Sequence, residues 1–308
     1  MLDCQWIRRL HSYGLLTASF RPADAIVRWR SFQRQREMLI RYAAQHVQHM
    51  QKALEEMNVK LTEVVSDIVG QTGMKIIKDI VRGERDPHEL AKHRHPHCKA
   101  TEAEIASALY GNWRREHLFA LRQALELYAF YQRQLRECEA QIEACLRGMA
   151  DQSRSKALPA CPRSHQRDKN AVGFGARALL FRMAGVDLTQ IEGINETTAL
   201  VVLSEIGTDL SSFPCEKNFV SWLGLCPQHR GSGGKILKRR TRRGANRTAR
   251  ALRMAAQGCH HAKNALGAFY RRIQARCGSP KAIVATARKT GRTGLPHAPL
   301  RPRLRAAK

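Results

Sequence analysis

Residues 118–146 read LFALRQALELYAFYQRQLRECEAQIEACL. Leu118, Leu121, Leu125, Tyr128, Leu135, Ile142 and Leu146 recur at steps of three and four, the a and d positions of a heptad. Gln132 and Glu139 are the polar exceptions. That period keeps one apolar seam along a helix, so the stretch predicts a long helix packing as a coiled coil. Its partner is either a second chain or a second long helix in this one. Residues 29–57 supply that candidate, with Ile40, Ala43, Val47, Met50, Leu54 and Met57 on one stripe.

Working outward, Leu61 to Val69 reads as a shorter amphipathic helix stopped by Gly70 and Gly73. Arg82 to Lys99 is rich in His and Pro and gives no clear period. Residues 151–170 are polar, with Pro159 and Pro162, and read as a linker. Residues 171–287 predict a compact α-rich unit. From Arg288 the chain holds Pro and cations without apolar periodicity, which reads as a basic disordered tail over 288–308. The fold class is mainly α: a helical, coiled-coil region over 29–150 and a compact helical C-terminal domain.

Charge divides the chain in a different way. Glu216 is the last acidic residue; the 92 residues from Lys217 to Lys308 carry 23 Lys and Arg and no Asp or Glu. The first 216 residues hold 30 basic and 26 acidic groups, so nearly all of the +27 formal charge lies in the C-terminal third. Such a segment repels itself unless a polyanion neutralises it, and nucleic acid is the polyanion that fits. A membrane surface fits less well, because the stretch is too rich in Gly, Arg and His to form one basic amphipathic helix. No apolar run reaches the length of a membrane span, and the N-terminus lacks the layout of a signal peptide. Nine scattered cysteines without a CxxC pair argue for reduced thiols. These features predict a cytoplasmic protein, associated with the nucleoid if its polyanion is DNA.

Two motifs in the basic half could carry chemistry. Gly193-Ile194, followed by Ala199 and an apolar run, suits a helix-hairpin-helix whose turn approaches a phosphate; an ordinary helical hairpin fits equally. Gly231-Ser232-Gly233-Gly234-Lys235 places a serine between glycines, just before Lys238, Arg239, Arg240, Arg242 and Arg243. A hydroxyl without steric cover, ringed by cations, could attack a phosphate while the cations stabilise the charge that builds. The same run also reads as a flexible loop. It is not a Walker loop, whose order of Gly, Lys and Ser/Thr is absent. Arg247, Arg250 and Arg253 continue along a helix starting near Asn246, a stripe suited to tracking a phosphate backbone. His93, His95, His97 and Cys98 do not have the paired spacing of a zinc site.

Three blocks taken together resemble the DEDD transposases of the IS110 type, insertion-sequence recombinases guided by a bridge RNA. They are Asp3-Cys4-Gln5-Trp6 through Ser19-Phe20-Arg21-Pro22; Gly193-Ile194 with Thr198-Ala199 and Glu205-Ile206-Gly207; and Trp222-Leu223-Gly224-Leu225 with Pro227 and Ser232-Gly233-Gly234-Lys235. Ala265 to Arg272 also fits. The resemblance implies an N-terminal RNase-H-like α/β domain with four carboxylates holding Mg²⁺, then a coiled coil, then a domain whose serine attacks DNA. On that basis Ser232 is the nucleophile, Asp3 matches the last carboxylate, and residues 1–28 are a remnant of the α/β domain. The other three carboxylates have no counterpart, so the expectation is a truncated copy that binds Mg²⁺ unproductively and is weakly active or inactive. DNA, a guide RNA and further copies of the chain are the implied partners. The candidate nucleic-acid contacts are Gly193, Ile194, Lys235, Lys238, Arg239, Arg240, Arg242, Arg243, Arg247 and Arg250. The alternative is a non-catalytic nucleic-acid-binding protein that dimerises through its coiled coil.

Overall fold

The computed structural model describes residues 3–16, 19–154, 156–161, 169–233, 235–241, 244 and 246–293. In chain order the helices are α1 (Asp3–Ser12), α2 (Asp24–Glu56), α3 (Leu61–Val64), α4 (Gln71–Arg82), α5 (Pro87–Ala91), α6 (Glu102–Ala108), α7 (Arg115–Arg147), α8 (Ala176–Ala184), α9 (Glu196–Ile206) and α10 (Glu216–Trp222). Strands β1 (Pro227–Ser232) and β2 (Lys235–Thr241) follow, then α11 (Arg247–Gly258), α12 (Ala265–Cys277) and α13 (Ser279–Thr293). The fold is mainly α, and one antiparallel hairpin is the only sheet among the described residues. Two compact units form: residues 34–142, and residues 1–33 together with 143–308.

In the first unit α2 and α7 run antiparallel. Arg36 Nε donates to Glu139 Oε1 at 2.8 Å near one end, and His117 lies 3.1 Å from Glu56 near the other. The long helix predicted from the heptad is therefore present, and within this unit it packs on a helix of its own chain. Leu121, Leu135 and Ile142 are buried, while Leu118, Leu125 and Tyr128 are half-buried. Glu139, a polar exception to the heptad, sits where it meets the buried Arg36.

The shorter helices close a core around one end of that pair. Ile76, Ile77 and Ile80 of α4 are fully buried beside Leu54, Met57, Leu61 and Ile105. Each such side chain contributes about 1.5–3 kcal/mol on leaving water. Local caps fix the ends: Asp86 accepts from the His88 amide before α5, and Thr101 and Glu104 form a capping box for α6. The helix expected over residues 61–69 is only the turn α3, and Gly70 instead caps the start of α4. Gly73 lies inside α4, because a Cβ there would stand 2.4 Å from the Ile68 carbonyl oxygen.

The second unit is built around α9, whose Leu200 and Val202 are fully buried. Leu252 and Ala256 of α11 pack across it. Arg30 of α2 donates to the Ser204 and Glu205 carbonyls at 3.2 and 2.7 Å, satisfying orphan acceptors at the C-terminal end of α9. Phe20 stacks near Phe213 and Trp222, with centroids 5.0 and 5.3 Å away, which ties residues 19–22 into this unit. Helix α13 lies against α10, α11 and α12. It runs to Thr293, so the tail expected from Arg288 does not start there. Thr286, Thr290 and Gly291 are buried, and Lys289 Nζ lies 4.4 Å from the Phe269 centroid. Packing of that face, not apolar periodicity, carries the helix past residue 287. Residues 294–308 lie outside the described residues.

Candidate nucleic-acid interface and serine site

The Gly-Ser-Gly-Gly run forms the tip of a hairpin. Register pairs Ser232 with Lys235, Arg230 with Lys238, His229 with Arg239 and Gln228 with Arg240, with a bulge between Arg230 and Gly231. Gly233 has φ +55°, the left-handed conformation that a two-residue hairpin turn requires. A Cβ at Gly233 would meet nothing within 4 Å, so the backbone angle, not space, is the reason for glycine. Ser232 ends β1 and is exposed.

Lys235, Lys238, Arg239 and Arg240 all lie on β2. From Lys235 to Arg240 is five steps of about 3.3 Å, so the strand carries its charge over roughly 17 Å. Such a length suits several phosphates along a strand. It matches about five base steps of a DNA strand at 3.4 Å each. Lys235 is the cation in register with Ser232, and Arg240 lies toward the far end. Gly234, Arg242 and Arg243 lie outside the described residues.

Beyond that gap Asn246 caps α11, its side chain accepting from the Ala249 amide at 3.0 Å. Arg247 stands in the first turn, where it adds to the positive end of the helix instead of offsetting it. Glu205 counters part of that charge, with carboxylate oxygens 3.9 Å from Arg247 and 3.5 Å from Arg30. Arg250 is exposed. Thus the basic side chains predicted as contacts divide between β2 and the opening of α11.

Gly193 and Ile194 occupy the turn before α9, and packing accounts for both. Gly193 has φ +81°, and a Cβ there would lie 2.2 Å from the Ala255 carbonyl oxygen of α11. Ile194 is 1% exposed and its amide already donates to the Ile191 carbonyl at 3.1 Å. We expect Gly193→Ala to destabilise this unit by more than the ~1 kcal/mol typical of a backbone strain alone, because the Cβ also forces α9 and α11 apart. A urea midpoint unchanged from the parent would contradict that.

The same unit contains an ion pair with no signal in the sequence. Arg177 donates to Asp187 through Nε at 3.0 Å and Nη2 at 2.5 Å, and Asp187 is 2% exposed. Thr189 donates its hydroxyl and its amide to the other carboxylate oxygen. Arg177 Nη2 also donates to the Pro159 carbonyl and Gln190 Nε2 to that of Ala160, anchoring the segment predicted as a linker. Burial works to raise the Asp187 carboxyl, but hydrogen bonds from Arg177, Thr189 and Gln190 outweigh it and hold it below the usual range.

Asp3 opens α1, a helix with no buried residue. Among the described residues no group of three or more His, Cys, Asp or Glu comes together as a metal site. His93, instead of joining His95, His97 and Cys98, lies 2.5 Å from Asp79. Among the described residues no helix is long and apolar enough to cross a membrane.

Residues 187–271, which contain α9 to α11, the hairpin and Ser232, match the model of the Transposase IS116/IS110/IS902 family. Over these residues the chain is similar to IS110-type transposases. It is also similar to an uncharacterized 43.6 kDa protein of the insertion element IS110 from Streptomyces coelicolor, at 37% identity over 90 residues. That alignment covers 29% of this chain and 22% of the relative.

Proposed function

We propose that the chain acts as an insertion-sequence transposase, a site-specific DNA recombinase in which Ser232 is the nucleophile. The observation that carries this is an exposed serine at the tip of a hairpin whose second strand is basic, inside the family-matched segment. In the reaction the Ser232 Oγ attacks a DNA phosphorus and gives its proton to solvent. The bond from phosphorus to the departing deoxyribose oxygen breaks, and that oxygen takes up a proton. A phosphoserine diester results. A free DNA hydroxyl then attacks the same phosphorus and releases the serine, joining strands without net hydrolysis. Lys235 stands in register to offset the charge that grows on the phosphate, and the remaining β2 cations with Arg247 and Arg250 track the flanking backbone.

Asp3 is the residue of this chain that matches the family's carboxylate pattern. The chain is expected to bind DNA and a guide RNA and to form the serine adduct. Further copies of the chain, assembled through the long helices, would bring two DNA sites together near the nucleoid.

The test compares the parent and Ser232→Ala on labelled DNA carrying insertion-sequence ends. Both should shift the DNA in a native gel to the same extent. Only the parent should leave a DNA-linked band that survives SDS. An adduct retained by Ser232→Ala would place the nucleophile elsewhere. A parent that binds but yields no adduct would be a non-catalytic binding protein instead.

A further inference from the structure

In the last turn of α9, Glu205 lies between two arginines of the same unit. Its Oε2 is 3.5 Å from Nε of Arg30 on α2, and its Oε1 is 3.9 Å from Nε of Arg247 on α11. A carboxylate near the C-terminal end of a helix adds to the negative pole there, as Arg247 adds to the positive pole that opens α11. Each of the two offsets the other. Residues 217–308 contain no acid, so a carboxylate that answers Arg247 must come from outside that third, and α9 supplies it.

The two arginines are held differently. Arg30 also donates through Nε to the Ser204 carbonyl at 3.2 Å and through Nη2 to the Glu205 carbonyl at 2.7 Å. Two backbone acceptors thus fix its guanidinium against the end of α9. Arg247 makes the longer contact with the carboxylate and is the more exposed of the two, at 28% against 19%. Arg247 can therefore leave while Arg30 stays. Its departure does not strand Glu205, at 12% exposure, without a counter-ion. That stranding is what makes breaking a buried pair expensive, so the exchange of partners at Arg247 is a cheap one.

We infer that Glu205 is a displaceable stand-in for a DNA phosphate: it holds Arg247 in the free chain and yields it to the backbone of bound DNA. The inference rests on the proposed DNA binding at the opening of α11 and deepens that reading; it needs no role for Ser232. The carboxylate sets a threshold, because a polyanion must displace it before using Arg247. Glu205 thereby lowers the affinity for DNA of any sequence and acts against indiscriminate binding by the acid-free third.

The experiment titrates the full chain, Glu205→Gln, Arg247→Gln and the double variant onto a labelled duplex of arbitrary sequence at fixed salt. The ion pair is partly exposed, so releasing Arg247 in advance should tighten binding about two- to fivefold in Glu205→Gln. Arg247→Gln alone should weaken binding. In that background Glu205→Gln should bring no gain, because the cation it would release is missing. Urea unfolding of each variant reports the fold. Should Glu205→Gln not fold, Glu205→Asp, which keeps a carboxylate but draws it back from Arg247, should give tightening in its place. A folded Glu205 variant that binds no tighter than the parent would overturn the inference. So would a gain that persists without Arg247, the mark of a general charge effect, or an affinity that Arg247→Gln leaves unchanged. Weaker binding by Glu205→Gln would overturn it too, making Glu205 a residue that positions Arg247 for DNA. Failure of the underlying reading shows in the parent itself, as a weak salt dependence of its DNA binding, before any variant is compared.

Discussion

Raising salt from 50 to 200 mM should weaken DNA binding by about 10³- to 10⁵-fold, the loss expected for six to ten neutralised phosphates. The candidate contacts on β2, in the segment after it and at the start of α11 number eight cations: Lys235, Lys238, Arg239, Arg240, Arg242, Arg243, Arg247 and Arg250. Full engagement by B-DNA gives a slope of log affinity on log salt of about −7, since each phosphate contributes roughly −0.9. Arg247 shares its charge with Glu205 and should contribute least. Residues 217–308 supply no acid of their own, and Glu216, just before them, lies 3.3 Å from Arg292. Isothermal or fluorescence titration over that salt range measures the slope directly. A slope near −2 would mean that the acid-free third is not the interface. Replacing Lys238 and Arg240 by Gln should reduce the slope by about 2 and weaken binding alike on every sequence.

Asp187→Asn should destabilise the unit containing α8 and α9 by about 3–5 kcal/mol, the cost of leaving one partner of a buried pair uncompensated. Arg177 would then keep its charge at 13% exposure, facing a neutral amide in place of the carboxylate whose Oδ2 accepts both of its N–H groups. Urea unfolding would report the loss, and a change under 1 kcal/mol would contradict it. The pH dependence has a definite sign. A carboxyl held below its unfolded value, about 3.9, gives stability that is fully present above that value. That stability disappears as pH falls through the lower folded value. The parent should therefore lose this contribution below about pH 4, and Asp187→Asn should show a flatter acid limb.

The long helices were legible because burial follows their sequence period. Leu121, Leu135 and Ile142 were assigned to a seam and are buried. The start of α2 was less legible. Ile26 and Trp29 continue the buried face, but Gln33 and Arg36, at 2% and 3% exposure, interrupt its apolar pattern. Gly73 was expected to stop a helix and instead allows a close contact with Ile68, a tertiary cause invisible to local propensity. The hairpin is not legible, since β2 places the adjacent pair Ile236 and Leu237 among four cations and shows no alternation. Ser232 was visible through its glycines. The Arg30–Glu205 and Arg177–Asp187 pairs were not, because nothing in the sequence links residue 30 to residue 205 or singles out one Arg–Asp pair among many.

We expect Ser232 to form a covalent link to DNA. The direct measurement is to trap the parent chain on labelled insertion-sequence DNA, denature, digest with nuclease and protease, and identify the nucleotide-bearing peptide by mass spectrometry. We predict a nucleotide phosphodiester on Ser232 in the peptide spanning residues 231–235. A modified peptide from any other part of the chain, or bound DNA with no modified peptide, would contradict the account.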